Sequence, residues 1–265
     1  MVQQPRRDKR RRKFLGSHQR AWIWGRYPVL ETLRAGFWKP LELRLSTRLP
    51  EPERVEVEAR IAELELSARF VDPDELTVHC GTTEHQGYAA RMPPFPYRDA
   101  NDVVQSAVAN PIFVVLDGIQ DPHNFGAIVR TADAMAIDGL FVGTRGQSEI
   151  TSQVVRSSAG AVNHVPIAAV ESLVEFVRQQ RERGFQIAAA SEENGRQAAD
   201  CDFKRPTLLI IGNEGSGVRS ELLELCEVIA TIPQFGHVGS LNAAVSAGIL
   251  FYEARRQRTD LLPNP

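Results

Sequence analysis

From residue 111 onward the sequence alternates short apolar runs with helix-length segments. No other feature constrains the fold as strongly. Pro111-Ile112-Phe113-Val114-Val115-Leu116 is continuously apolar, the pattern of a strand buried on both faces. Further strands are expected at 139–142, 164–167, 186–190, 207–211 and 228–232, and helices over 124–137, 153–158, 172–183 and 241–258. Such alternation predicts an α/β fold with a mostly parallel sheet covered on both sides. At 265 residues and 43% hydrophobic content, the chain has material for one large domain, or a small one joined to a medium one.

The N-terminal part reads differently. Residues 20–92 suggest a small α/β unit: a helix with Pro28 in its first turn and Gly36 past its end, then an alternating strand at 41–45. A helical stripe at 57, 61, 64 and 68 follows, and a closing strand at 86–92. Pro93, Pro94 and Pro96 mark a linker, placed at 93–110, so the main domain runs 111–265. Residues 1–19 lack apolar periodicity and read as a disordered basic arm. The first twenty residues carry a net +7 and the remainder −9, although the whole chain sums to only −2. Such an arm is either simply solvated or a phosphate-binding extension.

Three scattered cysteines, Cys80, Cys201 and Cys226, offer neither a disulfide framework nor a metal pair, which favours a reducing cytoplasm. The six histidines show no metal-ligand spacing, so no metal is expected. Residues 228–252 contain no Asp, Glu, Lys or Arg and are long enough to raise the membrane question. Their Pro233, Gln234, His237, Ser240 and Asn242 would be unsatisfied in lipid, so the stretch is expected to lie buried within protein.

Three stretches place glycines and polar groups directly after a predicted strand, where the ligand crevice of an open α/β sheet lies. They are Asp117-Gly118-Ile119-Gln120-Asp121-Pro122-His123-Asn124, Gly212-Asn213-Glu214-Gly215-Ser216-Gly217, and Ile232-Pro233-Gln234-Phe235-Gly236-His237-Val238-Gly239-Ser240-Leu241-Asn242. The second lacks the Lys-Ser/Thr of a phosphate loop. Asp117 and Asp121 suit turn chemistry better than a catalytic pair. Arg130, in a small-residue helix, is either a structural ion pair or a catalytic charge. Six residues separate it from Asn124, close enough to two turns to predict a partly shared face.

Together the stretches resemble the three motifs of the SpoU (TrmH) group of RNA ribose 2′-O-methyltransferases. Asp121-Pro122-His123-Asn124-Phe125-Gly126-Ala127-Ile128-Val129-Arg130, Gly212-Asn213-Glu214-Gly215 and Ser240-Leu241-Asn242 carry the match over about 111–258. More loosely, Trp24-Gly25-Arg26-Tyr27-Pro28-Val29 and His85-Gln86-Gly87-Tyr88-Ala89-Ala90-Arg91 are similar to the small substrate-binding domain of the 23S rRNA guanosine methyltransferases. The resemblance implies a homodimer with a deep trefoil knot, an exception to the rule against knotted chains. It also implies S-adenosylmethionine held near Gly212, Ile232 and Leu241, with Asn213 and Gly215 as neighbours. Catalysis would rest on Arg130 stabilising a developing 2′-alkoxide and on Asn124 orienting Arg130 or the ribose. Glu214 would pair with Arg130 or another base, and Ser240 and Asn242 would bind substrate or hold the knot. Large-subunit rRNA is the implied substrate, with tRNA or an inactive assembly factor as alternatives. The sequence departs from the third motif at Gln234, where methionine is common.

Overall fold

In the computed structural model the described residues are 22–191, 195–237 and 239–258; the basic arm lies outside them. They divide into two compact units. One comprises the chain to Pro96 together with Ile150–Asn163, the other Tyr97–Glu149 with the chain from His164 onward.

The first unit runs β1 (Trp22–Trp24), α1 (Arg26–Ala35), β2 (Glu42–Ser46), α2 (Glu51–Glu63), β3 (Ala68–Val71), α3 (Pro73–Cys80) and β4 (Tyr88–Arg91). Its sheet has the order β1-β4-β2-β3, with β2 and β3 parallel and the other pairs antiparallel. Helix α1 ends at Gly36, whose φ of 69° is the left-handed cap expected of glycine there. The helical stripe expected to reach residue 68 stops sooner. Glu65 takes φ 56°, and Ala68 already pairs with Leu43 as the first residue of β3. The unit's core includes a cluster of Trp22, Trp24, Leu76, Cys80 and Ala89.

The second unit runs α4 (Ala100–Ser106), β5 (Ile112–Asp117), α5 (Pro122–Ala134) and β6 (Gly139–Gly143). The chain then visits the first unit with α6 (Ser152–Ser157) and resumes the second with β7 (Ile167–Val170), α7 (Leu173–Glu182), β8 (Gln186–Ala190), β9 (Arg196–Gln197) and β10 (Thr207–Gly212). It closes with α8 (Ser220–Leu223), β11 (Val228–Thr231) and α9 (Ala243–Arg256). The strands form one parallel sheet in the order β7-β6-β5-β10-β8-β11-β9. Every residue of β5 is buried, as its unbroken apolar run requires. Phe113 of β5, Phe141 of β6 and Phe176 of α7 pack consecutively, with ring centroids 5.3 and 4.3 Å apart.

Three further expectations change. The stretch 93–110 is not irregular throughout: Asp99 caps α4 by accepting from the amides of Asn101 and Asp102, and Val103 is buried against the sheet core. Residues 150–163, expected within the larger domain, pack in the first unit. There the Arg156 guanidinium lies 4.5 Å from the Trp24 ring centre, and Asn163 Nδ2 donates to Thr32 Oγ1 at 3.0 Å. Finally, the charge-free stretch 228–252 is not buried as a whole. Ala230, Ala243, Ala247, Leu250 and Phe251 are buried, whereas Pro233, Gln234, Phe235, Gly236 and His237 are exposed. A segment without charges still carries amides and small polar groups that water satisfies, so lack of charge does not force burial.

Candidate active site

Strand order assembles the site. β5 and β10 are neighbours in register, Asp117 opposite Gly212, so the loops that follow them leave the sheet side by side. β11 lies one strand beyond β10, across β8, and its loop leaves the same carboxyl edge.

At the first loop, Asp117 is 3% exposed. Its carboxylate accepts from the Arg219 amide at 2.9 Å and pairs with the Arg219 guanidinium at 2.5 Å, tying the ends of β5 and α8 together. Asp121 caps α5 by accepting from the His123 amide at 2.9 Å, the turn role expected of it. The second loop is closed by reciprocal backbone bonds between Asn213 and Gly217. Asn213 Oδ1 accepts from the amides of Gly215 and Ser216, while its Nδ2 donates to Gly118 O at 2.6 Å. A Cβ on Gly212 would stand 2.2 Å from the Gly217 carbonyl carbon, so glycine is required there by the crossing of two backbones.

The third loop ends at Asn242, which caps α9: its Oδ1 accepts from the amides of Ala244 and Val245. That engagement fixes the rest of a chain. Asn242 Nδ2 donates to Asn124 Oδ1 at 2.9 Å, which turns Asn124 Nδ2 toward Glu214 Oε1 at 2.8 Å. Glu214 Oε2 also accepts from Asn213 Nδ2 at 3.3 Å. One residue from each of the three loops is thus joined through side-chain amides.

Beside this chain lies a cavity of about 430 Å³. Gly212, Asn213, Glu214, Gly215, Ile232, Ser240 and Leu241 line it, so seven of the ten residues proposed from the sequence meet there. Ser191, Gln234 and Ser246 line it too. Sequence reading singled out neither Ser191 nor Ser246, because a serine after an alanine-rich strand or inside a helix carries no motif. The described lining holds one carboxylate, Glu214, and no Lys, Arg or His. It therefore suits a neutral or cationic guest better than a polyphosphate. Asn124 and Asn242 face a separate groove between α5 and α9, shared with Val245, Ile249 and Tyr252.

Arg130 is exposed, lines neither space and forms no ion pair with a described residue. Glu214 takes Asn124 where Arg130 was expected. The helix geometry explains this: at 100° per residue, six residues set Asn124 and Arg130 about 120° apart around α5. His123, in the first turn of α5, and His237, in the third loop, are both exposed. Among the described residues no group of three or more His, Cys, Asp or Glu is placed to hold a metal ion.

Residues 111–252, which contain all three loops, match the SpoU rRNA Methylase family. The chain belongs to that family. It is an RNA methyltransferase of the SpoU/TrmH kind. A curated SpoU/TrmH relative, the putative TrmH family tRNA/rRNA methyltransferase YacO of Bacillus subtilis, is 31% identical over 91% of this chain and 98% of its own. The crystal structure of the SpoU methyltransferase AviRb from Streptomyces viridochromogenes, in complex with AdoMet, superposes with a TM-score of 0.76. It is 27% identical and covers 96% of this chain and 94% of AviRb. A crystal structure of an RNA 2′-O ribose methyltransferase gives 0.73 at 27% identity, covering 94% and 92%.

Proposed function

We propose that this SpoU methylase transfers a methyl group from S-adenosylmethionine to a ribose 2′-hydroxyl of RNA, with a guanosine of large-subunit rRNA as the preferred target. The observation that carries the reading is the Asn242–Asn124–Glu214 chain, which joins three loops beside the cavity. The cavity's chemistry supports the donor: a single carboxylate and no cation accommodate a sulfonium and disfavour a nucleotide phosphate. When bound, the donor supplies an electrophilic methyl carbon.

The chain's own residues then have two tasks, to hold the donor and to ready the nucleophile. Gly212, Ile232 and Leu241 would hold the donor, with Asn213 and Gly215 shaping the loop around it. Asn124 and Asn242, each fixed by the other, orient the substrate, with Ser240 and Glu214 at the cavity edge. Arg130 has no partner among the described residues, so its guanidinium is available to RNA. There it would lie against the 2′-hydroxyl and a neighbouring phosphate and stabilise the negative charge that develops on oxygen. Arg130→Ala is expected to lower kcat about a hundred- to a thousandfold with the fold intact, measured by methyl incorporation into RNA. Wild-type turnover in this variant would remove Arg130 from the mechanism.

The same reading includes a homodimer, and one face of α9 supports it. Val245, Ile249 and Tyr252 are exposed at helical spacing along α9, an apolar stripe of the kind that pairs in a homodimer. Ile249→Glu should shift the protein to monomer in sedimentation velocity; an unchanged species would place the dimer contact elsewhere. The deep knot implied by the family belongs to this proposal as well. What supports rRNA over tRNA as substrate is the resemblance of Trp24-Gly25-Arg26-Tyr27-Pro28-Val29 and His85-Gln86-Gly87-Tyr88-Ala89-Ala90-Arg91 to the substrate-binding domain of the 23S rRNA guanosine methyltransferases. Ribose-methylation mapping of total RNA from cells with and without the gene tests both substrate and chemistry: loss of one 2′-O-methyl mark in large-subunit rRNA is expected. A mark lost from tRNA would reassign the substrate, and no lost mark would sink the reading.

A further inference from the structure

Phe235 is 97% exposed, more than any other large apolar residue among those described. Phe113, Phe125, Phe141, Phe203 and Phe251 are fully buried, and Phe37, Phe70, Phe95, Phe176 and Phe185 are at least partly covered, so no other described phenylalanine is exposed. The ring stands in the third loop between two pairs of cavity-lining residues, Ile232 and Gln234 before it, Ser240 and Leu241 after it. It is therefore at the rim of the candidate active site. Gly236 and Gly239 have nothing within 4 Å of where a Cβ would be, so the loop around the ring is open on its own side.

We infer that Phe235 is the stacking platform for an unpaired base of the RNA, at or beside the nucleotide that receives the methyl group. This rests on the RNA ribose-methylation reading. Between residues 232 and 241 there is no Asp, Glu, Lys or Arg, so this loop has no ion pair to offer a phosphate. What it offers is a π-face, with the exposed imidazole of His237 nearby in sequence. Single-stranded RNA presents the complementary surface, because bases that are not paired turn their faces to aromatic side chains. A ribose brought to a site inside a protein crevice must leave its helical stack, and an exposed ring at the rim replaces the stacking that its base or its neighbour loses. Stacking tolerates sequence, so Phe235 contributes affinity and register while other contacts select the nucleotide.

The test compares Phe235→Ala, Phe235→Leu and Phe235→Trp in the full chain, with large-subunit rRNA from cells lacking the gene as the probe. Removing one base–aromatic stack should raise KM for this RNA about ten- to a hundredfold. Alanine and leucine should both do so, while tryptophan restores the wild-type value and its fluorescence is quenched by added RNA. The affinity for S-adenosylmethionine, measured by calorimetry, and the sedimentation coefficient should be those of wild type in all three. Full activity with leucine would overturn the inference, since an aliphatic side chain fills space but does not stack. So would a parallel loss of donor affinity, which would make the ring a lid on the cavity, or a shift to monomer, which would make it a subunit contact. If wild-type protein methylates none of this RNA, the functional reading fails first, and that result is separable from an effect of Phe235.

Discussion

Gly212 illustrates how much a single hydrogen in place of a methyl group decides at this site. The second loop folds back so closely that a Cβ there would stand 2.2 Å from one backbone atom and 2.3 Å from the next. Gly212→Ala should therefore cost about 1–3 kcal/mol in chemical denaturation, as overpacking does, and reduce donor binding with it. Gly236→Ala, in open space, should stay within about 0.5 kcal/mol of wild type. At this scale the sequence revealed residue types and missed pairings. Seven of the ten proposed residues line the cavity because a motif records which side chains a loop carries. The Asn124–Glu214 bond was not legible, because its partners lie 90 residues apart and their meeting depends on the adjacency of β5 and β10. The placement of Arg130 was open to arithmetic, since six residues are an incomplete second turn.

Elements were legible where their periodicity was long and were lost where it was short. The buried strands β5 and β10 and the helices α5, α7 and α9 follow from apolar runs and stripes. Helices α3 and α4 escaped, because eight and seven residues barely complete two turns and their apolar positions make no stripe. Their signals were the capping aspartates Asp72 and Asp99. At the other end of the scale, α9 secures itself through its last turns. Glu253 accepts from both the Nε and Nη2 of Arg256 and from Gln257 Nε2, and the Arg256 bonds, followed by that of Gln257, hold its pKa below the ordinary 4.5. A carboxylate with a depressed pKa contributes its full stabilisation above the unfolded value and loses it as pH falls through the folded one. The melting temperatures of wild type and Glu253→Gln should therefore differ near neutral pH and converge below about pH 4.5. A constant gap across that range would assign the effect to packing.

The whole molecule couples an acidic body to a basic beginning, an asymmetry that the overall charge of −2 conceals. If residues 1–19 contact phosphates, their deletion should flatten the dependence of RNA affinity on salt while leaving affinity for S-adenosylmethionine unchanged; an equal slope would leave the arm solvated. The division into two units was visible in the prolines at 93–96. The return of residues 150–163 to the first unit was not, because a short helix gives no indication of which core it joins. The far end of the chain carries one more consequence. Arg258 is 4% exposed, and its guanidinium donates to the carbonyls of Phe203, Asn110 and Arg205 and to Thr207 Oγ1, with burial pushing its pKa down to about 10. Chain ends usually fray and tolerate trimming. Here a truncation that removes Arg258 would strand four acceptors at the foot of the central strands, so affinity tags and reporter fusions belong after this arginine, never in its place.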